Sequence, residues 1–364
     1  MGFSCGIIGL PNVGKSTIFN ALTTIGVPAE AFPFCTIEPN IGKVAVPDFR
    51  LTQLTELLKP QKMTPTTMEF VDIAGLVKGA SRGEGLGNQF LGHIRSVQAL
   101  AHIVRCFNDA NVAHVTPEIH PADDIETINI ELLLADMDMV DRRLEKLKRM
   151  AKVGQKDAAN AIDILTVVKE HLDRGYPGRK LSAEIISSPV MQELSLLTSK
   201  PVLYVLNVPE DDLAADSQYA REARKKAELD ETDTIVLSGK IESEIVALES
   251  EEQSEYRREL GLEASGLDRL IHAGYKLLQL ITFYTTVGTE LRAWTLPIGT
   301  PIQKAAGKIH TDMERGFIKA EVIRFDDFIK AGSESKVRES GSMRLEGRDY
   351  IVQDGDIIRI KFNV

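Results

Sequence analysis

An eight-residue run near the start of the chain has the residue types that bind phosphate. Residues 9–16 read Gly-Leu-Pro-Asn-Val-Gly-Lys-Ser, which matches the pattern G-x-x-x-x-G-K-[ST]. Glycines let backbone N–H groups converge on phosphate oxygens, and a helix that begins there adds its positive dipole end. Lys15 can bridge the β- and γ-phosphates, and the Ser16 hydroxyl can ligate Mg²⁺. The sequence therefore predicts that a nucleoside triphosphate binds here with Mg²⁺. We expect the contacts from Asn12, Val13, Gly14, Lys15, Ser16 and Thr17.

A second motif, D-x-x-G, runs from Asp72 to Gly75 at the end of an apolar run. An aspartate there can hold the Mg²⁺ shell through water, and the Gly75 N–H can sense the γ-phosphate. Thr36 is the candidate for a further Mg²⁺ ligand, although loose spacing leaves an ordinary loop threonine as the alternative. Leu76 stands where Ras-like enzymes have a glutamine that orients the attacking water. Because leucine cannot hydrogen-bond water, we expect hydrolysis to be slow or to use another group.

The run 201–206 is followed by Asn207-Val208-Pro209-Glu210, where guanine-binding proteins have N-K-x-D. Guanine presents two donors that an aspartate accepts together, whereas Glu210 is one methylene longer. Val208 cannot supply the lysine stem that covers the base, but Asn207 can still bond adenine N6 or N7. Ser238 follows a later apolar run and is expected to border the base from the other side. The residues therefore favour loss of guanine specificity over an ordinary strand-ending turn.

Strand-like apolar runs alternate with helical stretches through much of the chain. The runs are 5–8, 43–46, 67–73, 101–107, 201–206 and 234–237. This alternation predicts an α/β domain with a mostly parallel sheet.

Between residues 107 and 201 the pattern changes to apolar residues at a 3-4 spacing. The first stretch contains Ile130, Leu133, Met137, Val140, Leu144 and Leu147. A second stretch, with Ala161, Leu165, Val168 and Leu172, repeats the pattern. The spacing therefore predicts a coiled-coil-like hairpin of two helices, joined near Gly154 and inserted in the nucleotide domain. Asp123 and Asp124 are the expected N-cap, and Gly175-Tyr176-Pro177 is the expected end.

From about residue 281 the chain predicts a small β-grasp-like module. Its expected elements are strands at 281–284 and 292–296, a helix at 301–310, and a hairpin of 350–352 with 357–360 around Asp354-Gly355. The predicted domains are 1–122 and 199–280 for the two parts of the nucleotide domain, 123–198 for the helical insertion, and 281–364 for the C-terminal module.

Composition narrows the functional class. The formal net charge of −10 over 364 residues argues against a chain that coats nucleic acid as a whole. Cys5, Cys35 and Cys106 lack disulfide or metal spacing, which favours a reducing compartment. No apolar run approaches the roughly 18 residues of a membrane span. We expect a soluble, cytoplasmic monomer with no membrane partner.

The chain resembles the Obg-related P-loop proteins over essentially its whole length. The resemblance rests on residues 9–16, the motif from Asp72 to Val77, the Asn207-x-x-Glu210 motif and the two predicted extra modules. Within these proteins the YchF / Obg-like ATPase subfamily matches best. The resemblance implies a TRAFAC-class G domain, a coiled-coil insertion and a C-terminal TGS domain. It also implies a preference for ATP over GTP, attributed to N-x-x-E in place of N-K-x-D.

The same resemblance bears on catalysis. Leu76 matches the hydrophobic residue that this group has in place of the catalytic glutamine. The family's proposed catalytic histidine lies in the loop before the helical insertion, where this chain has His114. The residue chemistry alone would favour a solvated loop histidine at that position.

A group of basic residues, here called the basic tip, lies where the two helices of the insertion meet. It comprises Arg142, Arg143, Lys146, Lys148, Arg149, Lys152 and Lys156. On an otherwise acidic protein this tip suits an anionic partner such as RNA, with a solvated helix face as the alternative. The resemblance implies binding to the ribosome, as the large subunit or the 70S particle, through ribosomal RNA.

The preferred hypothesis is a slow, Mg²⁺-dependent ATPase that acts as a switch on the ribosome. Lys15 and His114 are its expected catalytic residues, and Ser16, Thr36 and Asp72 its expected metal residues. Two alternatives stay open. One is a GTPase of the ordinary Obg type, and the other is a nucleotide-gated RNA-binding module or scaffold whose hydrolysis is incidental.

Overall fold

The computed structural model describes residues 3–26, 40–73, 86–113, 118–152, 157–213, 217–262 and 264–363. Thr36, Gly75, Leu76, His114 and Lys156 lie outside these ranges. Within them, no helix is both long enough and apolar enough to cross a membrane.

The chain divides into two compact units. The P-loop unit comprises Phe3–Val44 and Glu69–Gly274, and the C-terminal unit comprises Ala45–Met68 and Tyr275–Val364.

A six-stranded sheet lies at the centre of the P-loop unit. Its strands are β1 (Ser4–Ile8), β2 (Ile41–Ala45), β4 (Thr67–Asp72), β5 (Ala99–Arg105), β6 (Val202–Asn207) and β7 (Thr234–Leu237). They lie in the order β2-β4-β1-β5-β6-β7, and β1, β4, β5, β6 and β7 pair in parallel. All six predicted strands are present, and none of their ends is displaced by more than two residues. The predicted α/β class with a mostly parallel sheet is confirmed.

Helices fill most of the connections of this unit. They are α1 (Lys15–Thr24), α3 (Leu86–Ser96), α4 (Pro121–Lys152), α5 (Asp157–Asp173), α6 (Ala183–Ile186), α7 (Pro189–Leu194), α8 (Gln218–Asp230), α9 (Gly239–Ile245), α10 (Ser250–Glu259) and α11 (Gly266–Leu277). The first, α1, follows β1 directly after the phosphate-binding loop, which is the context that the loop requires.

The long helices α4 and α5 pack against each other as a hairpin. Val140, Leu144 and Leu147 of α4 share one core with Leu165 and Val168 of α5. This part of the predicted seam is correct. Its apolar residues at helical spacing bury one continuous stripe between the two helices.

The predicted seam is wrong at Ile130. Ile130 is 44% exposed, whereas Ile125, Ile128 and Leu132 are buried. The buried stripe shifts here because α4 also packs against β5 and α8. Leu133 and Met137 pack against the predicted core. The expected Asp123-Asp124 cap is also wrong, since α4 begins at Pro121. Proline is favourable at the first helical position because the N–H that it lacks would have no partner there.

A second sheet of six strands forms the C-terminal unit. Its strands are β3 (Lys62–Thr64), β8 (Leu280–Val287), β9 (Glu290–Pro297), β10 (Phe317–Ile323), β11 (Arg344–Glu346) and β12 (Ile357–Phe362). Its helices are α2 (Phe49–Leu58), α12 (Ile302–Ile309), α13 (Thr311–Arg315), α14 (Phe325–Ala331) and α15 (Glu334–Glu339). The strand order is β11-β10-β12-β8-β9-β3, in which β12 is antiparallel to β10 and pairs in parallel with β8.

The hairpin predicted around Asp354-Gly355 is not formed. Ile351 makes an isolated bridge with Pro301, and β12 instead extends between β8 and β10. The turn residues are placed correctly, since Gly355 has a φ of 89°. The partner of β12 comes from a distant part of the chain, which no local pattern could indicate.

Residues 45–68 belong to the C-terminal unit although they lie between two strands of the P-loop unit. Asp48 caps α2 by accepting from the N–H of Arg50 at 3.0 Å. The Arg50 guanidinium also donates to Asp354 at 2.7 Å, and the Tyr284 hydroxyl donates to Asp48. Leu51 and Leu54 pack in the core with Tyr284. No local pattern in these residues predicted this grouping.

Candidate functional site

The phosphate-binding loop connects β1 to α1. Gly14 caps α1 in the left-handed conformation at a φ of 95°, and Asn12 is left-handed at 61°. A Cβ at Gly14 would lie 2.3 Å from Asn207 Nδ2, so the position requires glycine for space as well as for conformation. The first turn of α1 leaves its backbone N–H groups without partners inside the helix. This geometry is a ready anion site.

Two groups of opposite charge lie at this loop, the buried ammonium of Lys15 and the half-buried carboxylate of Asp72. Lys15 is 9% exposed, and burial lowers the pKa of its ammonium while Asp72 opposes that shift. Burial raises the pKa of the Asp72 carboxyl, and the charge of Lys15 offsets this only in part. Asp72 Oδ1 is buried and accepts no hydrogen bond from any described residue. Both groups therefore have unused capacity, the ammonium for an anion and the carboxylate for a cation or its water.

Asn207, at the end of β6, fastens the phosphate-binding loop to the loop after β7. Its Nδ2 donates to the carbonyl of Val13 at 2.9 Å, and its Oδ1 accepts from the N–H of Gly239 at 2.9 Å. The side chain is 5% exposed. Its position therefore fixes two walls of the site relative to each other.

A cleft of about 680 Å³ opens beside Gly14 and Thr17. Three loops line it, which follow β5, β6 and β7 and comprise residues 107–110, 207–211 and 238–240. They lie at the carboxyl ends of parallel strands, where open α/β sheets bind their ligands. A volume of this size accommodates a nucleotide base with its ribose.

The residues expected to border the base lie around this cleft. Val208 is 2% exposed, and its N–H donates to the carbonyl of Leu237 at 2.9 Å. Ser238 is 2% exposed. Glu210 is exposed and begins a single helical turn that ends at Asp212. The structure thus brings together the phosphate-binding loop, Asp72 and the four residues expected to border the base, Asn207, Val208, Glu210 and Ser238.

Sequence reasoning missed Arg105, the last residue of β5. It is 1% exposed and donates to the carbonyls of Phe107 at 3.1 Å, Val112 at 3.1 Å, Ala113 at 3.3 Å and Asp109 at 3.4 Å. These residues form the loop after β5, which lines the cleft. The available signal was a charged residue at the end of a mostly apolar strand, because a buried arginine must be paired.

The described residues of the basic tip lie in the last turns of α4. None of them lines the cleft. Arg142 pairs with Asp138, and Arg143 with Glu193. The Arg149 guanidinium lies 3.6 Å from Glu145. Lys146, Lys148 and Lys152 are exposed and pair with no carboxylate among the described residues. These three lysines are the part of the tip with charge to offer a partner.

Two family models match the chain. The model described as "50S ribosome-binding GTPase" matches residues 4–169. The model "YchF-GTPase_C", described as "Protein of unknown function (DUF933)", matches residues 280–363.

Several relatives are similar over their whole length. The chain is 51% identical over 364 residues to the ribosome-binding ATPase YchF of Escherichia coli O157:H7, and all of both chains is covered. It is 49% identical to the protein of the same name from Bacillus subtilis, again with full coverage of both chains.

Two solved structures resemble this one. The Schizosaccharomyces pombe YchF GTPase superposes with a TM-score of 0.89 at 36% identity, covering 99% of this chain and 98% of that one. A GTP-binding protein from Pyrococcus horikoshii gives a TM-score of 0.64 at 20% identity, with 99% and 100% covered. The second likeness concerns the fold alone.

Proposed function

The chain belongs to the YchF family, and from that premise we propose that it is a Mg²⁺-dependent ATPase that binds the ribosome and acts as a slow nucleotide switch. The observation that carries the enzymatic part is the buried ammonium of Lys15 and the buried Oδ1 of Asp72, both with unused charge beside the glycine-containing loop. Lys15 neutralises the β- and γ-phosphates, and the N–H groups of residues 12–17 surround them.

The residues fit a magnesium ion. Asp72 supplies a buried carboxylate oxygen without a hydrogen-bond donor among the described residues, and Ser16 supplies an exposed hydroxyl at the start of α1. Hard oxygen ligands of this kind are those that Mg²⁺ prefers. The bound ion neutralises charge that develops on the phosphoryl group. Thr36 and Gly75 remain proposals from sequence as a further ligand and as the γ-phosphate sensor.

ATP rather than GTP is the proposed substrate. Val208 is buried and apolar where a guanine reader has an exposed lysine stem, and Glu210 replaces the aspartate. The Nδ2 and Oδ1 of Asn207 each already make one hydrogen bond that holds the loops together. Asn207 can therefore contact a base only through its second N–H and the second lone pair of its oxygen. The cleft therefore lacks the lysine of a guanine reader, and its acceptor pair lies one methylene farther from the backbone than that of the aspartate that selects guanine.

Hydrolysis needs a group that approaches the attacking water, because Leu76 cannot orient it. His114 is the proposed group, by its match to the family's histidine. Ala113, the residue before it, is tied to the phosphate-binding loop, since its carbonyl accepts from Asn12 Nδ2 at 3.1 Å. The proposed domain boundaries follow the sequence prediction, except that residues 45–68 group with the C-terminal unit.

The ribosome is the proposed partner because the full-length relatives carry that function in their names. We propose ribosomal RNA of the large subunit or the 70S particle as the binding surface, with the exposed lysines of the basic tip in contact with phosphates. A ribosomal partner places the protein in the cytoplasm. We propose that it acts as a monomer.

Titration with ATP and GTP side by side, each with Mg²⁺, tests the proposal. ATP is expected to bind at least several-fold tighter, whereas equal affinity or tighter GTP would favour the Obg-type GTPase. Glu210→Asp together with Val208→Lys is expected to shift the preference toward GTP, by about 1–3 kcal/mol for each good base contact. Glu210→Asp alone is the matched control, because Glu210 is exposed and its replacement disturbs no packing.

A rival of another class is a scaffold that needs bound nucleotide but not its hydrolysis. A variant that binds ATP without hydrolysing it separates the two. If the switch operates, this variant stays on the ribosome after wild-type protein has left it. If wild type and variant leave at the same rate, hydrolysis is incidental and the scaffold is the better description.

A further inference from the structure

The loop after β5, residues 107–113, is shaped by one buried side chain. Four of its backbone carbonyls accept from the Arg105 guanidinium, those of Phe107, Asp109, Val112 and Ala113. The guanidinium also lies 4.6 Å from the centroid of the Phe107 ring. Arginine carries five N–H donors in a fixed fork, so a single residue can set the path of several carbonyls.

The two ends of this loop lie next to different parts of the proposed site. Residues 107–110 line the cleft proposed for the base. The other end, Ala113, precedes His114 in the chain. Within the loop, the Asp109 side chain accepts from the N–H of Asn111 at 2.8 Å, and the Val112 N–H donates to the Asp109 carbonyl at 3.1 Å. The loop is therefore a hydrogen-bonded connection between the cleft and Ala113.

A second donor reaches the same carbonyl from the phosphate-binding loop. Asn12 Nδ2 lies 3.1 Å from the Ala113 oxygen, which also accepts from Arg105 Nη1 at 3.3 Å. The Asn12 backbone is left-handed, a conformation that asparagine tolerates and that glycine also adopts freely. The phosphate site and the base site thus converge on one acceptor atom.

We propose that Arg105 and Asn12 are positioning residues for the proposed ATPase reaction. Arg105 holds the loop 107–113 in the shape that completes the base cleft. Arg105 and Asn12 together hold the Ala113 carbonyl against the phosphate-binding loop. A base in the cleft therefore stabilises the loop that carries the Ala113 carbonyl, and this couples base recognition to turnover. The proposal has two parts, which are tested separately below as a binding arm and a turnover arm. The part that concerns turnover rests on the proposed function, whereas the part that concerns the base cleft requires only that ATP binds.

The binding arm compares ATP with Mg²⁺-tripolyphosphate, which has the phosphates but no base. Arg105→Met keeps the length of the side chain and removes its donors. It is expected to weaken ATP about tenfold, while the affinity for tripolyphosphate changes less than about twofold. Arg105→Lys restores the charge with a single nitrogen donor, and its affinity for ATP is expected to lie between those of wild type and Arg105→Met. Equal weakening of both ligands would mean that Arg105 only stabilises the fold, and would overturn the proposal.

The turnover arm uses Asn12→Gly, which removes the side chain, preserves the left-handed backbone and does not threaten folding. Its kcat is expected to fall about tenfold with KM for ATP nearly unchanged. Asn111→Ala, an exposed residue of the same loop, is the matched control and should leave both parameters unchanged.

A double-mutant cycle closes the test, because both donors act on the same oxygen. The double variant Asn12→Gly with Arg105→Met is expected to have a kcat close to that of the slower single variant. A kcat reduced by the product of the two single effects would show independent actions and overturn the shared role. Absence of Mg²⁺-dependent ATP hydrolysis in wild type would instead refute the proposed function, and the ATP–tripolyphosphate comparison would then still decide on Arg105.

Discussion

Two carboxylates, one in each unit, meet opposite electrostatic environments. At Asp72 in the P-loop unit, burial raises the pKa and Lys15 offsets this only in part, so the pKa stays above its ordinary value. At Glu334 in the C-terminal unit, burial also raises the pKa, but Arg359 and Arg338 outweigh it and the pKa lies below its ordinary value. The Arg359 guanidinium donates two hydrogen bonds to the Glu334 carboxylate, of 2.7 and 2.8 Å.

The difference between the two pKa shifts distinguishes a charge that is available to a ligand from a charge that is used to stabilise the fold. Asp72 Oδ1 accepts no hydrogen bond from the described residues, and Lys15 compensates the negative charge of the carboxylate only in part, which leaves it free to bind a cation or the water of a cation. Glu334 is fully engaged and has nothing to offer a ligand. Perturbed ionisation marks functional sites only when partners fail to compensate it. We therefore expect changes around Asp72 to affect chemistry, and changes around Glu334 to affect stability.

Replacing Lys15 with alanine gives the largest expected effect and tests the first half of this contrast. A methyl group cannot neutralise phosphate charge, and loss of one preorganised donor costs about 10²–10³-fold in rate. We expect ATP turnover to fall at least that far, with the melting temperature changed little. Single-turnover hydrolysis and thermal unfolding measure the two quantities.

Asn20→Ala, an exposed residue of the same helix, is the control for Lys15→Ala and should retain wild-type turnover. Near-normal turnover in the Lys15 variant would show that the buried charges beside the loop do not form the reactive site.

The second prediction concerns His114. His114→Ala is expected to slow hydrolysis by about 10²–10⁴-fold, the range for a positioned acid–base group, while ATP affinity stays nearly intact. His120→Ala is the matched control, because His120 lies in the same connection before α4 and is half-exposed. An unchanged single-turnover rate would return His114 to the role of a solvated loop residue.

Local patterns were sufficient for the strands of the P-loop unit and for the phosphate-binding loop. Glycine spacing, apolar runs and turn residues act over a few neighbours, so the bounds of β1 and the start of α1 at Lys15 could be predicted closely. Asp72 and Asn207 were predicted for the same reason, since each ends an apolar strand at the ligand edge of the sheet.

What could not be predicted depends on contacts between distant segments. No local signal tells that residues 45–68 pack with the C-terminal sheet, or that β12 pairs with β8 and β10. Ile130 was misassigned because its half of α4 packs against β5 and α8. The one signal for Arg105 was its charge at the end of β5, because the loop carbonyls that define its role cannot be recognised from residue types.

The third prediction extends the contrast to the basic tip, where paired and unpaired charges lie side by side. Charge reversal at Lys146, Lys148 and Lys152 is expected to weaken ribosome co-sedimentation and to reduce the slope of log K against log salt by roughly one for each lost phosphate contact. Basal ATP hydrolysis should persist. The arginines are less suitable for this test, because Arg142 and Arg143 already pair with carboxylates.

Lys225→Glu, an exposed lysine of α8, is the control for charge reversal away from the tip. Equal loss of binding in this control would point to a general field effect. Unchanged binding in the triple variant would place the ribosome contact elsewhere on the chain.

The smallest expected effect comes from Glu334→Gln and tests the second half of the contrast. A partly exposed, bidentate arginine–carboxylate pair stabilises a fold by about 1 kcal/mol, and ATP turnover should be unaffected. Trp294 is the only tryptophan of the chain and lies in β9 of the C-terminal unit. Its fluorescence during urea unfolding therefore reports the stability of that unit.

The dependence of this effect on pH has a definite sign. The pKa of Glu334 is lowered in the folded state, so the carboxylate stabilises the unit above the ordinary glutamate pKa of about 4.3. That stabilisation is lost as the pH falls through the lower, folded value, and wild type and variant should converge there. Glu339→Gln, an exposed residue of the same helix, should match wild type at every pH. A constant difference between wild type and Glu334→Gln down to acid pH would mean that packing rather than charge is responsible, and the contrast with Asp72 would fail.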